Sequence, residues 1–343
     1  MSDAIQIRKR DRRGEWQPAE LPKMPPVFVW PPQPRNFAKW FFGYPGYLWP
    51  WNTTYAVVAI LTLVYLTPDL ASMKTFQFGW IAFIFVRNVI FLVLIVSVWH
   101  LLLYVRRVQG TDYKYSDRWL AKGNPTFLFG SQVLDNVFWT IISAIPVWTA
   151  FEVLTWWAQA NSYIPSVDWR EHPVYCLLLL IIIPAFREFH FYLIHRLIHW
   201  PPLYRTVHHL HHKNVNIGPW SGLAMHPVEH VLYFSGVLLH WIVPSHPLHI
   251  MYHLQHLAFV PSQGHSGFDQ IVLTGQTKIN NTHYIHYLHH KYFEVNYGGD
   301  GAVPLDKWFG TLHDGSDAAQ EAMNQRFLAR RKAQELARAG KSR

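Results

Sequence analysis

Long apolar stretches separated by polar loops dominate the first half of the chain. They lie at 47–67, at 79–105, at 133–158 and from Pro173 onward. A membrane-spanning helix needs about 20 mostly apolar residues. The second and third stretches reach that length, whereas the first and fourth depend on their aromatic flanks. A further apolar region, 231–260, is broken by Pro244 and Pro247, which predicts a re-entrant or interfacial hairpin or, alternatively, two more spans.

Composition supports a membrane protein. Hydrophobic residues make up 50% of the 343 residues and charged residues 15%, whereas about 25% charged residues is usual in soluble domains. The 17 Trp, 17 Tyr and 22 Phe residues suit the two interfaces of a bilayer, where aromatic side chains concentrate. The single cysteine, Cys176, excludes an intrachain disulfide.

The cations predict the orientation of the chain in the membrane. Eight Lys and Arg residues lie in 1–46 and five lie in 106–130, whereas 68–78 and 159–172 carry one each. The positive-inside rule then places the N-terminus, the 106–130 loop and everything after the fourth stretch on the cytoplasmic side. This would hold in a bacterial inner membrane or in the endoplasmic reticulum. The net charge of +9 comes with no nucleic-acid-binding motif, so we expect no nucleic acid partner.

Histidines are concentrated in the second half, where all but one of the 22 lie between His172 and His313. They recur as HxxxH at His195 and at His226, and as HxxHH at His208 and at His286. On a helix these spacings place imidazoles on one face, where they can converge on an ion. The spacing predicts as metal ligands His195, His199, His208, His211, His212, His226, His230, His286, His289 and His290.

The number of imidazoles bears on which metal is bound. Imidazole suits Zn, Fe, Cu and Ni alike, but a structural zinc site takes only four ligands. Nine or more nitrogens fit two ions of higher coordination number, which favours a di-iron centre. Zinc can replace iron in a purified sample. The side chains predicted to orient the ligand rings are Glu188, Glu229, His190, His209 and His283.

Residues 175–313 resemble the membrane-bound fatty acid hydroxylase/sterol desaturase superfamily. The segments "EFHFYLIHRLIH", "LYRTVHHLHH", "AMHPVEH" and "HYLHHKYFEVNYGGDGAVPLDKWFGT" are similar to its histidine boxes and to the NYG and D-x-x-FGT elements that follow them. The first HxxxH spacing is nearer the sterol-modifying branch. His265 occupies the place of an isolated family histidine, which adds it to the predicted ligands.

The resemblance implies an O₂-dependent di-iron enzyme that hydroxylates or desaturates a C–H bond of a membrane lipid, with a sterol-like substrate favoured over a fatty acyl chain. The chain has no CxxC cluster, GxGxxG site or HPGG segment, so electrons must come from a cytochrome b5-like protein, a ferredoxin or a reductase. A zinc-dependent membrane lipid hydrolase is the alternative. A metal transporter is a third hypothesis, for which Arg87, Asp135 and Glu152 are the charged candidates within the spans.

The predicted fold is an all-α integral membrane bundle of about four spanning helices plus re-entrant or interfacial helices, with a cytoplasmic, histidine-rich helical cap. The predicted divisions are an N-terminal cytoplasmic arm (1–46), transmembrane helices (47–172), the histidine-box region (173–313) and a basic C-terminal helix (314–343). That last helix would lie along anionic lipid or in solvent.

Overall fold

A computed structural model describes residues 10, 14–18, 20–274, 277–281, 283–299 and 302–341, so parts of the predicted N-terminal arm and the last two residues of the predicted C-terminal helix lie outside the described residues. The helices are α1 (Pro34–Phe42), α2 (Thr53–Tyr65), α3 (Phe78–His100), α4 (Gln132–Trp139), α5 (Ile145–Ala160), α6 (Pro173–Ile198), α7 (Pro201–Leu203), α8 (His209–His212), α9 (Pro227–Phe234), α10 (Pro247–Gly264), α11 (Tyr284–Tyr292), α12 (Leu305–Trp308) and α13 (Asp317–Lys341). Shorter 3₁₀ or π turns extend several of them, among them Leu48–Asn52, Leu101–Val105, Thr140–Ala144, Tyr204–His208 and Ser235–Trp241.

The described residues include three helices that are long and apolar enough to cross a membrane. They are Phe78–Val105, Gln132–Ala160 and Pro173–Ile198, with 28, 29 and 26 residues. At 1.5 Å per residue they are about 39–44 Å long, which exceeds the roughly 30 Å of a hydrocarbon core. The chain is therefore a mostly helical membrane protein with three candidate spans.

The first predicted span, 47–67, does not form a long helix. A turn at Leu48–Asn52, with Trp49 outside helical geometry, precedes the 13 residues of α2. Thirteen residues extend about 20 Å, which is too short to cross the hydrocarbon core. The estimate of about four spans is therefore one higher than the count found in the described residues.

The interrupted apolar region at 231–260 becomes the buried centre of the fold. After α9 and a 3₁₀ turn, α10 begins at Pro247, and its 18 residues pack against α2, α3, α5 and α6. Fifteen of those residues are buried. Two of its polar side chains donate to partners inside the protein: Gln255 Nε2 donates to Thr62 Oγ1 over 2.8 Å, and His249 Nε2 donates to the Cys176 carbonyl over 2.8 Å. This protein-lined setting tolerates polar side chains that lipid would not.

The ends of the long helices define a cap layer at one end of the bundle. The segments that follow Val105, precede Gln132 and follow Ile198 all belong to it. They are held together by contacts such as the Tyr104 hydroxyl, which lies 2.9 Å from both the Ile217 and the Ser266 carbonyl oxygens. The cap also contains a two-stranded antiparallel sheet, β1 (Gln270–Val272) and β2 (Lys278–Asn280), in which Ile271 pairs with Ile279. The prediction of purely α structure was therefore slightly too narrow.

Candidate metal centre

Four segments of the cap bring nine imidazoles together. The end of α6 supplies two of them, the turn Tyr204–His208 with α8 supplies three, the residue after α10 supplies one, and α11 supplies three. They form one group of five and one group of four, in each of which the ligand atoms lie within 4.8 Å of one another. The five-histidine cluster is His195, His199, His208, His212 and His289, and the four-histidine cluster is His211, His265, His286 and His290.

Nitrogen atoms converge closely in the five-histidine cluster. The Nε2 atoms of His195 and His208 are 3.0 Å apart. His212 Nε2 lies 3.1 Å from the Nε2 atoms of both His199 and His289. Two imidazole nitrogens bound at right angles about 2.1 Å from one ion are about 3.0 Å apart, and about 3.4 Å apart in a tetrahedral arrangement. The cluster therefore has the dimensions of a metal site.

The outer edges of these rings decide where their protons lie. His195 Nδ1 is 2.7 Å from the Tyr297 carbonyl oxygen, and His289 Nδ1 is 2.5 Å from the Val295 carbonyl oxygen. A carbonyl only accepts, so both Nδ1 atoms must be the donors. A neutral imidazole has one N–H, which leaves an unprotonated Nε2 lone pair on each of these rings inside the cluster. Lone pairs packed this closely repel one another unless a cation lies between them.

The same arrangement recurs at His265 in the four-histidine cluster. The Ser221 hydroxyl donates to the Gly218 carbonyl over 2.8 Å, so its oxygen accepts from His265 Nδ1, which is also 2.8 Å away. The Nε2 atom of His265 is then unprotonated and carries a lone pair, and it lies 2.8 Å from His286 Nε2. Ser221 was not predicted as part of the site, because a lone serine carries no sequence signal for this role.

Neighbouring residues serve different clusters. His211 belongs to the four-histidine cluster and His212 to the five-histidine cluster. In the second pair, His289 belongs to the five-histidine cluster and His290 to the four-histidine cluster. Successive residues of a helix point about 100° apart, so a consecutive pair can face two adjacent sites. The rings of His212 and His290 are 5.0 Å apart, which makes the two clusters neighbours.

Burial keeps the cluster imidazoles neutral. Burial lowers the pKa of His211 to about 4, and it lowers the pKa of His289 and of His290 well below the ordinary value. Histidine binds a metal ion in its neutral form. At neutral pH the rings are therefore already in the protonation state that binds metal.

Two of the eleven predicted ligands lie outside both clusters. Both ring nitrogens of His230 are engaged elsewhere, with Nδ1 2.8 Å from Ser143 Oγ and Nε2 3.1 Å from the Leu223 carbonyl. His226 is half-buried, and its Nδ1 accepts from the Val228 N–H at the start of α9. The structure thus brings together nine of the predicted ligands, including His265, and leaves His226 and His230 apart.

The five predicted orienting side chains occupy different positions. Glu229 is buried, and its Oε1 lies 2.8 Å from His208 Nδ1, behind a cluster ring. Glu188 Oε2 accepts from the Ala302 N–H over 3.0 Å. His190 Nε2 is 3.1 Å from Ser235 Oγ, His209 is exposed, and His283 lines a cavity.

A braced loop after α11 supplies the carbonyl groups that hold two cluster rings. Asp306 accepts from the N–H groups of Tyr297 and Gly298 over 2.9 and 2.7 Å, and from the Thr311 hydroxyl over 2.6 Å. Asn296, which has a left-handed φ of 54°, donates to the His313 carbonyl over 2.8 Å. The NYG and D-x-x-FGT elements quoted above are therefore parts of one loop that positions His195 and His289.

Two cavities lie in the bundle near the clusters. The larger, about 660 Å³, lies between the N-terminal arm, α2, α6 and α10. Its walls are mixed: Trp51 and Val260 are apolar, Tyr55 donates to Gln263 over 2.5 Å, and His256 lies 2.9 Å from Asn52. The smaller cavity is bounded by His211, His265 and His286 together with Phe191, Met225 and Tyr233. Arg187 and Val260 line both cavities, so the larger cavity adjoins the smaller one, which the four-histidine cluster borders.

Comparison with known proteins connects this geometry to a family. Residues 179–311 match the family model described as "Fatty acid hydroxylase". A Delta(7)-sterol 5(6)-desaturase of Candida glabrata is 30% identical over 208 residues, which are 60% of this chain and 56% of that protein. The Delta(7)-sterol 5(6)-desaturase of Saccharomyces cerevisiae is 27% identical over 217 residues, 62% of this chain and 58% of that protein.

A plant protein is also similar to part of this chain. The Delta(7)-sterol-C5(6)-desaturase of Nicotiana tabacum is 26% identical over 175 residues, 50% of this chain and 61% of that protein. The chain thus spans less than two thirds of the length of these relatives, and no solved structure matches it significantly. The matched region 179–311 contains all the clustered histidines. In this region the chain is similar to the fatty acid hydroxylase family, and sterol desaturases are among the proteins that it matches.

Proposed function

We propose that the chain is an O₂-dependent di-iron oxidoreductase that hydroxylates or desaturates a C–H bond of a membrane lipid. The observation that carries this proposal is the pair of adjacent clusters, with five and four imidazoles. A small cavity borders the four-histidine cluster, and a larger cavity in the bundle adjoins the small one. Nine imidazoles suit two ions of high coordination number better than one tetrahedral zinc. We propose all nine as ligands, with Glu229 orienting His208.

The geometry disfavours a zinc-dependent hydrolase and a metal transporter. A zinc hydrolase needs a carboxylate base beside the metal-bound water, but Glu229 meets the Nδ1 edge of His208, so the ring separates it from the cluster. A transporter needs charged side chains along a path through the spans. Instead, Arg87 pairs with Glu152, and Asp135 pairs with Lys213 at the end of the bundle.

The residues of the chain have defined tasks in this proposal. Bound iron would supply the activation of O₂ that oxidation of an unactivated C–H bond requires and that side chains cannot provide. The Tyr297 and Val295 carbonyls fix the orientation of His195 and His289. Phe191 and Met225, which line the small cavity with the histidines, exclude water and place an alkyl or ring carbon against the four-histidine cluster.

The cavity and the relatives support an amphipathic, sterol-like substrate over a fatty acyl chain. A space of about 660 Å³ falls in the usual range for small-molecule sites. Its polar wall, which includes Asn52 and His256, suits a hydroxyl group, and its apolar wall at Val260 continues toward the metal centre. The three relatives named above are sterol desaturases by their names.

We also propose that the N-terminus and the metal centre face the cytoplasm. The cap end carries the five cations of the 106–130 loop, whereas the opposite end carries Lys74 and Arg170. A cytoplasmic cytochrome b5-like protein, ferredoxin or reductase would deliver electrons there. Single cysteines introduced at 74 and at 122, in a Cys176→Ser background, test this orientation with a membrane-impermeant labelling reagent. The reagent added outside the cell should label position 74 and not position 122. Labelling of position 122 from outside would contradict the proposed orientation.

Metal analysis and lipid analysis test the proposed reaction. Protein purified without oxygen should contain two iron ions per chain, and mass spectrometry of lipids from cells with and without the gene should reveal one hydroxylated or newly unsaturated product. His289→Ala should lose metal and product while remaining helical, and His209→Ala, an exposed histidine in the same region, should keep both. Full activity of His289→Ala, or one tightly bound zinc with hydrolytic products, would refute the proposal.

A further inference from the structure

We propose that an exposed, cationic and aromatic patch around Phe309 is the docking site of an acidic one-electron carrier, and that the ring of Tyr297 joins this patch to the five-histidine cluster. The Phe309 patch consists of Arg196, Lys307, Trp308, Phe309 and Arg326. The inference rests on the proposed function, because an O₂-dependent oxidation of this kind consumes two electrons per turnover that an external donor must supply.

Tyr297 lies between the cluster and the surface. Its ring centroid is 4.9 Å from that of His199 and 5.7 Å from that of His289. On its other side the ring of Tyr192 lies 6.4 Å away, and Tyr192 stacks on Phe309 at 5.8 Å with an interplanar angle of 22°. A series of aromatic rings in contact therefore leads from a predicted ligand to Phe309, which is 58% exposed.

The centre of the patch has the composition of a recognition surface. Trp308 is 59% exposed beside Phe309. The Arg196 guanidinium lies 5.1 Å from the Phe309 ring and 5.9 Å from the Tyr297 ring, within the range of cation–π attraction. Aromatic residues and arginine are the types enriched in protein interfaces and at their energetic hot spots.

The rim of the patch is positive. Lys307 is exposed, and Arg326 of α13 donates to the carbonyl of Gly310, directly after Phe309. Arg330 also lies near Tyr297, where Glu294 pairs with it. The four cations therefore outnumber the two carboxylates near this surface, Glu294 and the buried Asp306. Their field favours an acidic partner and speeds its approach. Weak electron-transfer contacts bury less than about 1,200 Å², so a patch of a few side chains is sufficient.

The electron count sets how often a one-electron carrier must dock in each turnover. Hydroxylation of one C–H bond combines the substrate, one O₂, two electrons and two protons to give the alcohol and one water; desaturation uses the same inputs and gives two waters. Each docked carrier is oxidised by one electron, so two docking events supply one turnover. A reduced [2Fe–2S] ferredoxin, which is a one-electron carrier, is a suitable probe.

The first experiment measures docking on metal-free protein, which makes it independent of the oxygenase reaction. Oxidised [2Fe–2S] ferredoxin should bind, and the affinity should fall as salt is raised. Lys307→Glu with Arg326→Glu should raise the Kd at least tenfold. Lys74→Glu with Arg170→Glu makes the same charge change at the opposite end of the bundle and should leave the Kd unchanged. Equal effects of the two pairs would overturn the docking site.

The second experiment measures electron entry on the iron-loaded protein. Tyr297→Leu should slow iron reduction by ferredoxin at least tenfold, while Tyr297→Phe, which keeps the ring, should match the wild type. Both variants should bind ferredoxin normally and be reduced by dithionite, a small reagent, at the wild-type rate. A Tyr297→Leu variant that ferredoxin reduces at full speed would overturn the role of this ring.

A lipid surface is the competing occupant of the patch. If the Lys307→Glu, Arg326→Glu pair weakens binding to phosphatidylglycerol vesicles and leaves ferredoxin binding unchanged, the patch contacts membrane and the docking proposal is wrong. A protein that binds no iron but still binds ferredoxin at this patch would refute the oxygenase reaction and retain the docking site. The two failures are therefore distinguishable.

Discussion

The buried ion pair between α3 and α5 offers a test of how the bundle is held together. Arg87 and Glu152, 5% and 0% exposed, form a direct salt bridge. The Glu152 carboxylate also accepts from Trp156 Nε1 over 3.0 Å and from Asn88 Nδ2 over 2.9 Å, and Arg87 donates to the Leu66 carbonyl over 3.0 Å. Glu152→Gln keeps an amide oxygen for these donors but leaves the guanidinium without a counter-charge.

Breaking such a pair from one side costs about 3–5 kcal/mol, because a buried charge loses its partner. That is a large share of the roughly 5–15 kcal/mol that separates folded from unfolded domains. Replacing both charges is much cheaper, since the desolvation cost of the charges is removed with their attraction. We therefore expect Arg87→Met with Glu152→Gln to be destabilised by less than about 2 kcal/mol, and to be more stable than Glu152→Gln alone.

Equilibrium unfolding in detergent micelles, with increasing SDS and tryptophan fluorescence as the signal, measures these differences. Asp69→Asn, an exposed carboxylate that caps a turn between α2 and α3, is a matched control and should change stability by about 1 kcal/mol or less. A double variant at least as unstable as Glu152→Gln would refute the reasoning, as would a single variant within about 1 kcal/mol of the wild type.

Three further outcomes are expected. Ser221→Ala removes the acceptor of His265 Nδ1 and should speed metal loss to a chelator about 10–100-fold, whereas Ser143→Ala, which frees His230 outside the clusters, should not. Burial lowers the pKa of His230 to about 3, below its ordinary 6.5, so protonation of this histidine favours the unfolded chain. As the pH falls from 6.5 to 5, the free energy of unfolding should therefore decrease by about 2 kcal/mol on account of His230. His230→Gln should remove that part of the acid sensitivity in a thermal melt. Asp306→Ala leaves two buried N–H groups unpaired and should lower bound iron, measured by metal analysis, while far-ultraviolet circular dichroism remains unchanged.

The histidine spacing alone predicted most of the candidate site. The two HxxHH boxes and the first HxxxH pair are strong signals because helical geometry converts spacing into direction, and these segments form both clusters. The second HxxxH pair lies outside both clusters for a physical reason: His226 is not inside the helix but precedes it as its N-terminal cap, so the two rings do not share a face. His265 came from the resemblance, since an isolated histidine has no periodicity.

The membrane bundle was predicted less completely. Long apolar runs identify α3 and the helix formed by α4 and α5 well. Hydrophobicity does not reveal whether a run is continuous, however, and the turn before Thr53 shortened the first span. The sequence also could not place α10 at the centre, because its histidines and Gln255 look unsuited to burial until their partners are known. The anchors of His195 and His289 are backbone carbonyls, which leave no signature in residue type.

The division of His211 and His212, and of His289 and His290, between the two clusters has a mechanical consequence. In each pair, a single peptide bond separates a residue of one cluster from a residue of the other. If each cluster binds an ion as proposed, covalent geometry rather than side-chain adjustment would set the distance between the two ions. A helix shift that moved one ion would then displace the other, so the two ions should respond to substrate as one rigid unit.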